Sequence, residues 1–242
     1  MTQNIVEVKH FQMKFGEKTV VKDLSFDVHR GEVFGLLGSN GSGKTTTIRS
    51  LLGIYKPTAG KLLVDGAKFD VSRNIKLGYL PEERGLYRKE RVIDVMRYIG
   101  QLKGMSKAES DRFIDQYLAR VGLTKYMKTR LDKLSGGQQQ KIQLGVTLMN
   151  DPELLILDEP TKGFDPVNCD LMVDLIMERK RAGATVIMIS HQMEEVEQLC
   201  DRVLLLKDGV ARAYGTVDKV RSEFNNKTLR DIFIEVYGKG LK

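Results

Sequence analysis

Three closely spaced glycines ending in a lysine and a threonine constrain this chain more than any other feature. They are the run Gly38-Ser39-Asn40-Gly41-Ser42-Gly43-Lys44-Thr45. Before the run lies Val33-Phe34-Gly35-Leu36-Leu37, a short apolar stretch that reads as a buried strand. After it, Thr46-Thr47-Ile48-Arg49-Ser50-Leu51-Leu52 reads as the start of a helix. A G-x-x-x-x-G-K-[ST] pattern between strand and helix is a P-loop. Its glycines let the backbone wrap close to phosphate oxygens, and the helix N-terminus behind it adds positive potential. Lys44 is placed to reach the β- and γ-phosphates, and the Thr45 hydroxyl to complete part of a Mg²⁺ shell. A chain built on this turn binds a nucleoside triphosphate.

The surrounding pattern predicts how the turn is mounted. Val6 and Val8, then Leu24, Phe26 and Val28, then Leu62 and Val64 keep period two, as antiparallel strands do, and Asp65-Gly66 is a hairpin signal. From about residue 91 to 131 helical periodicity takes over. There Ser106-Lys107-Ala108-Glu109 is a capping box ahead of a face made by Phe113, Tyr117, Leu118 and Val121. Short buried strands return at Leu154-Leu155-Ile156-Leu157 and Thr185-Val186-Ile187-Met188-Ile189, with helices expected over 139–149 and 169–181. Val203-Leu204-Leu205-Leu206 and Val210-Ala211-Arg212 flank an Asp208-Gly209 turn and read as a hairpin. Strands alternating with helices predict an α/β fold, a P-loop NTPase core with a mostly parallel sheet. We expect one domain over 1–242. Residues 1–87 and 150–215 form the core with its N-terminal antiparallel β-subdomain, 88–149 an inserted helical subdomain, and 216–242 a short tail.

Further candidates lie where strands end. The strand at 154–157 runs into Asp158 and Glu159, and a carboxylate at the C-terminal edge of a parallel strand faces the ligand crevice. Asp158 is placed to hold Mg²⁺, and Glu159 to orient or deprotonate an attacking water. Leu134-Ser135-Gly136-Gly137-Gln138 is a second glycine-rich turn opening a helix. Such a turn is by itself as readily only a turn. One nucleotide has no need of two phosphate cradles in one chain, but if two copies met head to tail, each could lend this turn to the other's γ-phosphate. His191 follows the strand at 185–189 and reads as a γ-phosphate contact.

In order and spacing, 38–45, 134–138, 154–159, Asp165 and His191 resemble the ATPase domain of an ABC transporter over most of the chain. The five residues 134–138 discriminate it from other P-loop ATPases. The tract Gly78-Tyr79-Leu80-Pro81-Glu82-Glu83-Arg84-Gly85-Leu86-Tyr87 and the C-terminal Leu229-Arg230-Asp231-Ile232-Phe233-Ile234-Glu235 are similar to the subgroup serving ABC-2-type exporters, including sodium and drug export systems. The resemblance implies that Phe15 stacks on adenine with Val20 beside it. It implies that Ser39, Asn40, Gly41, Ser42, Gly43, Lys44, Thr45 and Thr46 hold phosphates, and that Thr45, Asp158 and Glu82 serve Mg²⁺. Glu159 becomes the general base, with Lys44 and His191 as its catalytic partners. Asp165 couples two sites across a dimer, and Ser135, Gly136, Gly137 and Gln138 bind the partner protomer's ATP.

Three departures stand out. Glu82 replaces the family's usual glutamine, which puts a third acid near Asp158 and Glu159 and calls for a raised carboxyl pKa or for Arg84 as a partner. Lys162 and Phe164 replace a small residue and a leucine before Asp165. The tail is short, so an added C-terminal regulatory subdomain is not expected.

Composition narrows the partners. No stretch approaches the roughly 18 apolar residues that a membrane span needs, and Met1-Thr2-Gln3-Asn4 does not begin a secretory signal. Cys169 and Cys200 lack metal-type spacing and read as small, at least partly buried thiols in a reducing compartment. The net charge of +7 is scattered, without interleaved aromatics, so no nucleic-acid partner is expected. The resulting expectation is an ATP- and Mg²⁺-dependent hydrolase, a homodimer peripheral on the cytoplasmic face of the membrane, driving an integral membrane permease. The alternative is a soluble ABC-type ATPase acting on the ribosome, a nucleic acid or a biosynthetic scaffold. Nothing in the residues names a transported substrate.

Overall fold

The computed structural model describes residues 3–70, 75–83 and 85–238. In chain order its elements are β1 (Asn4–Phe15), β2 (Lys18–His29), β3 (Val33–Leu37), α1 (Lys44–Leu51), β4 (Ala59–Val64), β5 (Leu77–Leu80), α2 (Val92–Leu102), α3 (Lys107–Arg120), α4 (Gly136–Leu148), β6 (Leu154–Asp158), α5 (Pro166–Arg181), β7 (Thr185–Ile189), α6 (Met193–Leu199), β8 (Arg202–Lys207), β9 (Val210–Thr216), α7 (Val217–Glu223) and α8 (Leu229–Gly238). The chain divides into two compact units, Met1–Ile75 with Gly183–Lys242, and Lys76–Ala182. These boundaries fall at other positions than the 88–149 insertion read from the sequence.

In the first unit the strands lie in the order β4-β1-β2-β9-β8-β3-β7. β1 pairs antiparallel with both β2 and β4, so period-two patterning puts Val6, Val8, Leu24, Val28, Leu62 and Val64 into the core. Asp65 and Gly66 both take positive φ, 50° and 73°, and close the tight turn at the end of β4. β3 is different: it is buried at all five positions and lies between parallel neighbours, β7 on one side and β8 on the other. A strand covered on both faces needs no alternation, which is why it reads as an unbroken apolar run. β8 and β9 form the expected hairpin, with β9 running on to Thr216. The tail is helical: Thr216 caps α7, and α8 follows with Leu229 and Ile232 buried.

The second unit holds the parallel pair β5 and β6 and helices α2 to α5. Both hydrogen bonds of the capping box at Ser106 and Glu109 form, and they start α3 at Lys107. Its buried face is Ser110, Ile114, Tyr117 and Leu118, with Phe113 half-buried beside it. α4 and α5 each begin three residues earlier than their apolar patterns suggest. Ser135 caps α4 in a second complete capping box, and Asp165 caps α5 with Pro166 in its first turn. Cys169 is half-buried and Cys200 buried, and neither is in a disulfide. Among the described residues no helix is long and apolar enough to cross a membrane.

Candidate functional site

The candidate residues divide between the units. Phe15, Val20, the P-loop and His191 belong to the first; Glu82, residues 135–138, Asp158, Glu159 and Asp165 belong to the second.

In the first unit, β3 delivers the chain into the P-loop, and three glycines shape it by different means. A Cβ on Gly38 would lie 2.5 Å from both the Leu206 carbonyl oxygen and Ser42 Oγ, so the backbone approaches β8 as only glycine permits. Gly41 has φ 78° and open space around it. Gly43 has φ 111° and caps α1 without a side-chain hydrogen bond, so the first amides of α1 are left to an external acceptor. Lys44 is buried and curls back over the loop, donating from Nζ to the carbonyls of Gly38 at 2.7 Å and Ser39 at 3.0 Å. Ser42 Oγ is buried with no hydrogen-bond partner. Open glycine backbone, a folded-back ammonium and the uncapped amides at the start of α1 suit a phosphate chain.

β7 lies beside β3 in parallel register, with Leu36 opposite Ile189. The segment Ser190-His191 therefore leaves the same sheet edge as the P-loop, with His191 exposed and Gln192 N–H donating to the buried Ser190 hydroxyl at 3.0 Å. Phe15, at the end of β1, is 44% exposed and meets Tyr55 edge-on at 5.3 Å, so an aromatic ring stands at the surface, and Val20 on β2 is half-buried.

Sequence reasoning missed what stands behind the loop. The Asp208-Gly209 turn is more than a hairpin end: Gly209 N–H donates to the Ser42 carbonyl at 3.2 Å, and Lys22 N–H to the Gly209 carbonyl at 3.0 Å. The Tyr237 hydroxyl, from the C-terminal helix, accepts the Ser39 N–H at 2.9 Å. From the sequence 216–242 read only as a short tail, and no local signal tied Tyr237 to the P-loop.

In the second unit, Asp158 ends β6 and is 2% exposed; Glu159 follows with φ 53° and is 8% exposed. The left-handed turn at Glu159 redirects the chain, and the bonds from Lys162 N–H to Glu159 O and from Phe164 N–H to Thr161 O carry it round to Asp165. Lys162 Nζ donates to Glu82 Oε1 at 2.7 Å. The Lys162 ammonium is held above the usual lysine range by that bond and the Glu82 charge, then by the charges of Glu159 and Asp158. Glu82 thus has Lys162 as its cationic partner; Arg84, expected in that role, lies outside the described residues. α4 fixes the segment carrying Glu82, because Gln143 Nε2 donates to the carbonyls of Pro81 and Glu83 at 3.3 and 3.1 Å.

The turn at 135–138 opens α4. Ser135 Oγ accepts from Gln138 N–H at 3.3 Å while Gln138 Oε1 accepts from Ser135 N–H at 2.9 Å, and Gly137 faces the Phe164 ring, 3.5 Å from where its Cβ would be. Phe164, read from the resemblance as a departure, is therefore what packs against this glycine. Asp165 accepts from Asn168 N–H at 2.9 Å and Asn168 Nδ2 at 2.7 Å, and these bonds hold its carboxyl below the usual range. Within this chain Asp165 is a helix cap.

Comparison with known proteins supplies the family. The family model described as ABC transporter matches residues 21–162. An uncharacterized ABC transporter ATP-binding protein of Methanocaldococcus jannaschii is 45% identical over 89% of this chain and 79% of its own length. The Nod factor export ATP-binding protein I of Cupriavidus pinatubonensis is 34% identical over 98% of this chain and 73% of its own. A solved structure of the ATP-binding subunit of an ABC transporter superposes with a TM-score of 0.89 at 28% identity, covering 96% of this chain and 98% of that one.

Proposed function

The chain belongs to the ABC transporter ATP-binding family, and we propose that it is the ATPase subunit that powers a separate membrane permease of the ABC-2 export type. Members of the family bind and hydrolyse ATP. The observation that carries the site is the P-loop, where Lys44 folds back onto the carbonyls of Gly38 and Ser39 and α1 starts without a side-chain cap. The export half is supported by likeness along nearly the whole chain to a protein named for Nod factor export.

In this reading Phe15 and Val20 hold the adenine, and residues 39–46 hold the phosphates. Lys44 binds the oxygens on which charge builds as the γ-phosphoryl group departs. Electrostatic stabilisation by Lys44, Mg²⁺ and the opposing 134–138 signature together carries most of the barrier reduction. Glu159 accepts the proton of the attacking water, and His191 hydrogen-bonds the γ-phosphate. Thr45, Asp158 and Glu82 offer one hydroxyl and two carboxylates, a hard oxygen donor set suited to Mg²⁺, which supplies charge neutralisation along the phosphates. Lys162 keeps the extra acid at Glu82 compensated. Ser135, Gly136, Gly137 and Gln138 serve the partner protomer's ATP in a head-to-tail homodimer, with Asp165 coupling the two sites. The subunit works at the cytoplasmic face of the membrane.

Glu159→Gln tests the reading. The variant binds ATP, forms a stable ATP-dependent dimer, and brings down a multi-span membrane protein from mildly solubilised membranes. Retention of more than about a tenth of wild-type turnover, only about 1.4 kcal/mol of barrier, refutes the base assignment. Capture of ribosomal or nucleic-acid partners instead refutes the permease.

A further inference from the structure

We propose that Tyr237 is a positioning residue of the nucleotide site, and that α8 is a strap holding the opening turn of the P-loop in its binding shape. The Tyr237 hydroxyl makes two bonds at once: it accepts the Ser39 N–H at 2.9 Å and donates to the Leu206 carbonyl. The same carbonyl lies 2.5 Å from where a Gly38 Cβ would be, and Tyr237 Oη lies 3.1 Å from that point. One phenol therefore fills the corner where β8 and the first residues of the P-loop come together. It fixes Ser39, whose carbonyl, with that of Gly38, receives the Lys44 ammonium.

The strap is anchored along its length. Lys207, next after Leu206, donates from Nζ to the Val236 carbonyl at 2.8 Å and sits 5.5 Å from the Tyr237 ring centroid. Phe233 packs on that ring with centroids 4.4 Å apart. At the other end Leu229 and Ile232 are buried, Leu229 N–H donates to Glu197 at 3.3 Å, and Arg230 pairs with Glu194 at 3.4 Å. Glu194 and Glu197 lie on α6, which begins two residues after His191. α8 thus joins the backing of the P-loop to the helix that follows His191. Docking of α8 and nucleotide binding are then linked, and each favours the other by the same factor.

The inference rests on the P-loop being the nucleotide site, so wild-type ATP affinity is measured first. Failure of the wild type to bind ATP overturns that reading. Given binding, Tyr237→Phe keeps the ring and loses both hydroxyl bonds. Its ATP Kd and KM rise roughly threefold to tenfold, the size of one or two neutral hydrogen bonds, while kcat at saturating ATP stays within about twofold. Ile234→Ser, on the exposed side of α8, leaves Kd unchanged. In the wild type, ATP slows amide exchange across 229–238, and in Tyr237→Phe that protection shrinks. A lowered melting temperature with Kd, KM and exchange unchanged makes Tyr237 merely structural and overturns the proposal. So does equal weakening by Ile234→Ser.

Discussion

Replacing Arg202 by methionine exposes how the sheet that carries the P-loop is held. Arg202 opens β8, the parallel neighbour of β3. Its guanidinium donates to Asp27 Oδ2 at 3.1 Å, to Glu32 Oε1 at 3.2 Å and to the Tyr214 hydroxyl, and lies 4.9 Å over the Tyr214 ring and 5.9 Å over Phe34. The Arg202 side chain is 13% exposed, Glu32 9% and Asp27 34%. Burial pushes the Glu32 carboxyl above its ordinary value, although the His29 N–H and the Arg202 charge pull it down. Burial also raises Asp27, but hydrogen bonds from Tyr214 and Arg202 and the charges of Arg202 and His29 outweigh it and leave Asp27 low. Methionine fills the stem's space and removes the charge, leaving the buried Glu32 with the His29 N–H at 2.8 Å but no guanidinium. Breaking such a pair costs about 3–5 kcal/mol, and the solvent reaching Asp27 puts this case near about 3 kcal/mol. At about 2–4 °C per kcal/mol for a protein of this size, the melting temperature falls by about 6–12 °C.

The sign of the pH dependence is a second check on the same variant. A carboxyl with a raised folded-state pKa costs stability while ionised, and the cost is relieved as pH falls towards its unfolded value. Loss of Arg202 raises Glu32 further, so the deficit measured by thermal melts at pH 7 narrows by pH 5. Glu32→Gln added to Arg202→Met recovers part of it. A drop below about 2 °C, set against the per-kcal scale above, or a deficit that widens on acidification refutes the account of Arg202 as the charge compensating Glu32.

Two other sites give separate tests. A Cβ on Gly145 would stand 2.5 Å from Tyr117 Cε1, in a ring that is 5% exposed and pinned by its hydroxyl to the Lys141 carbonyl at 2.6 Å. Gly145→Ala therefore destabilises by about 1–3 kcal/mol, read as a lower urea midpoint, and an unchanged midpoint shows that the ring yields. Burial lowers the Lys103 ammonium from 10.5 to about 8, although Nζ donates to the carbonyls of Thr147 at 2.7 Å and Met149 at 3.3 Å. Between those two values the unfolded chain binds more protons, so this group adds stability as pH rises through that window. Wild type gains on Lys103→Met when urea unfolding is compared at pH 7 and pH 10, and a constant difference refutes the shift.

Features written in consecutive residues were legible from the sequence alone. The P-loop needs only a strand, three glycines, Lys44-Thr45 and a helix, all within a short window. The same holds for β6 ending in Asp158-Glu159 and for the box at Ser106 and Glu109. Helix starts were read late at Ser135 and Asp165 because apolar periodicity begins after the cap, whereas the capping bonds reach back three residues. Other contacts were decided by the tertiary structure. Glu82 finds Lys162 across 80 residues, and Ser39 finds Tyr237 across 198. Residue types alone named neither partner: Arg84 was as good a cation for Glu82 as Lys162, and Tyr237 is one aromatic in an apolar helix. Local patterns follow from the 3.6- and 2-residue periods of the backbone. Which distant side chains meet depends on strand order, here β3 lying between β7 and β8, and no short window of sequence encodes that order.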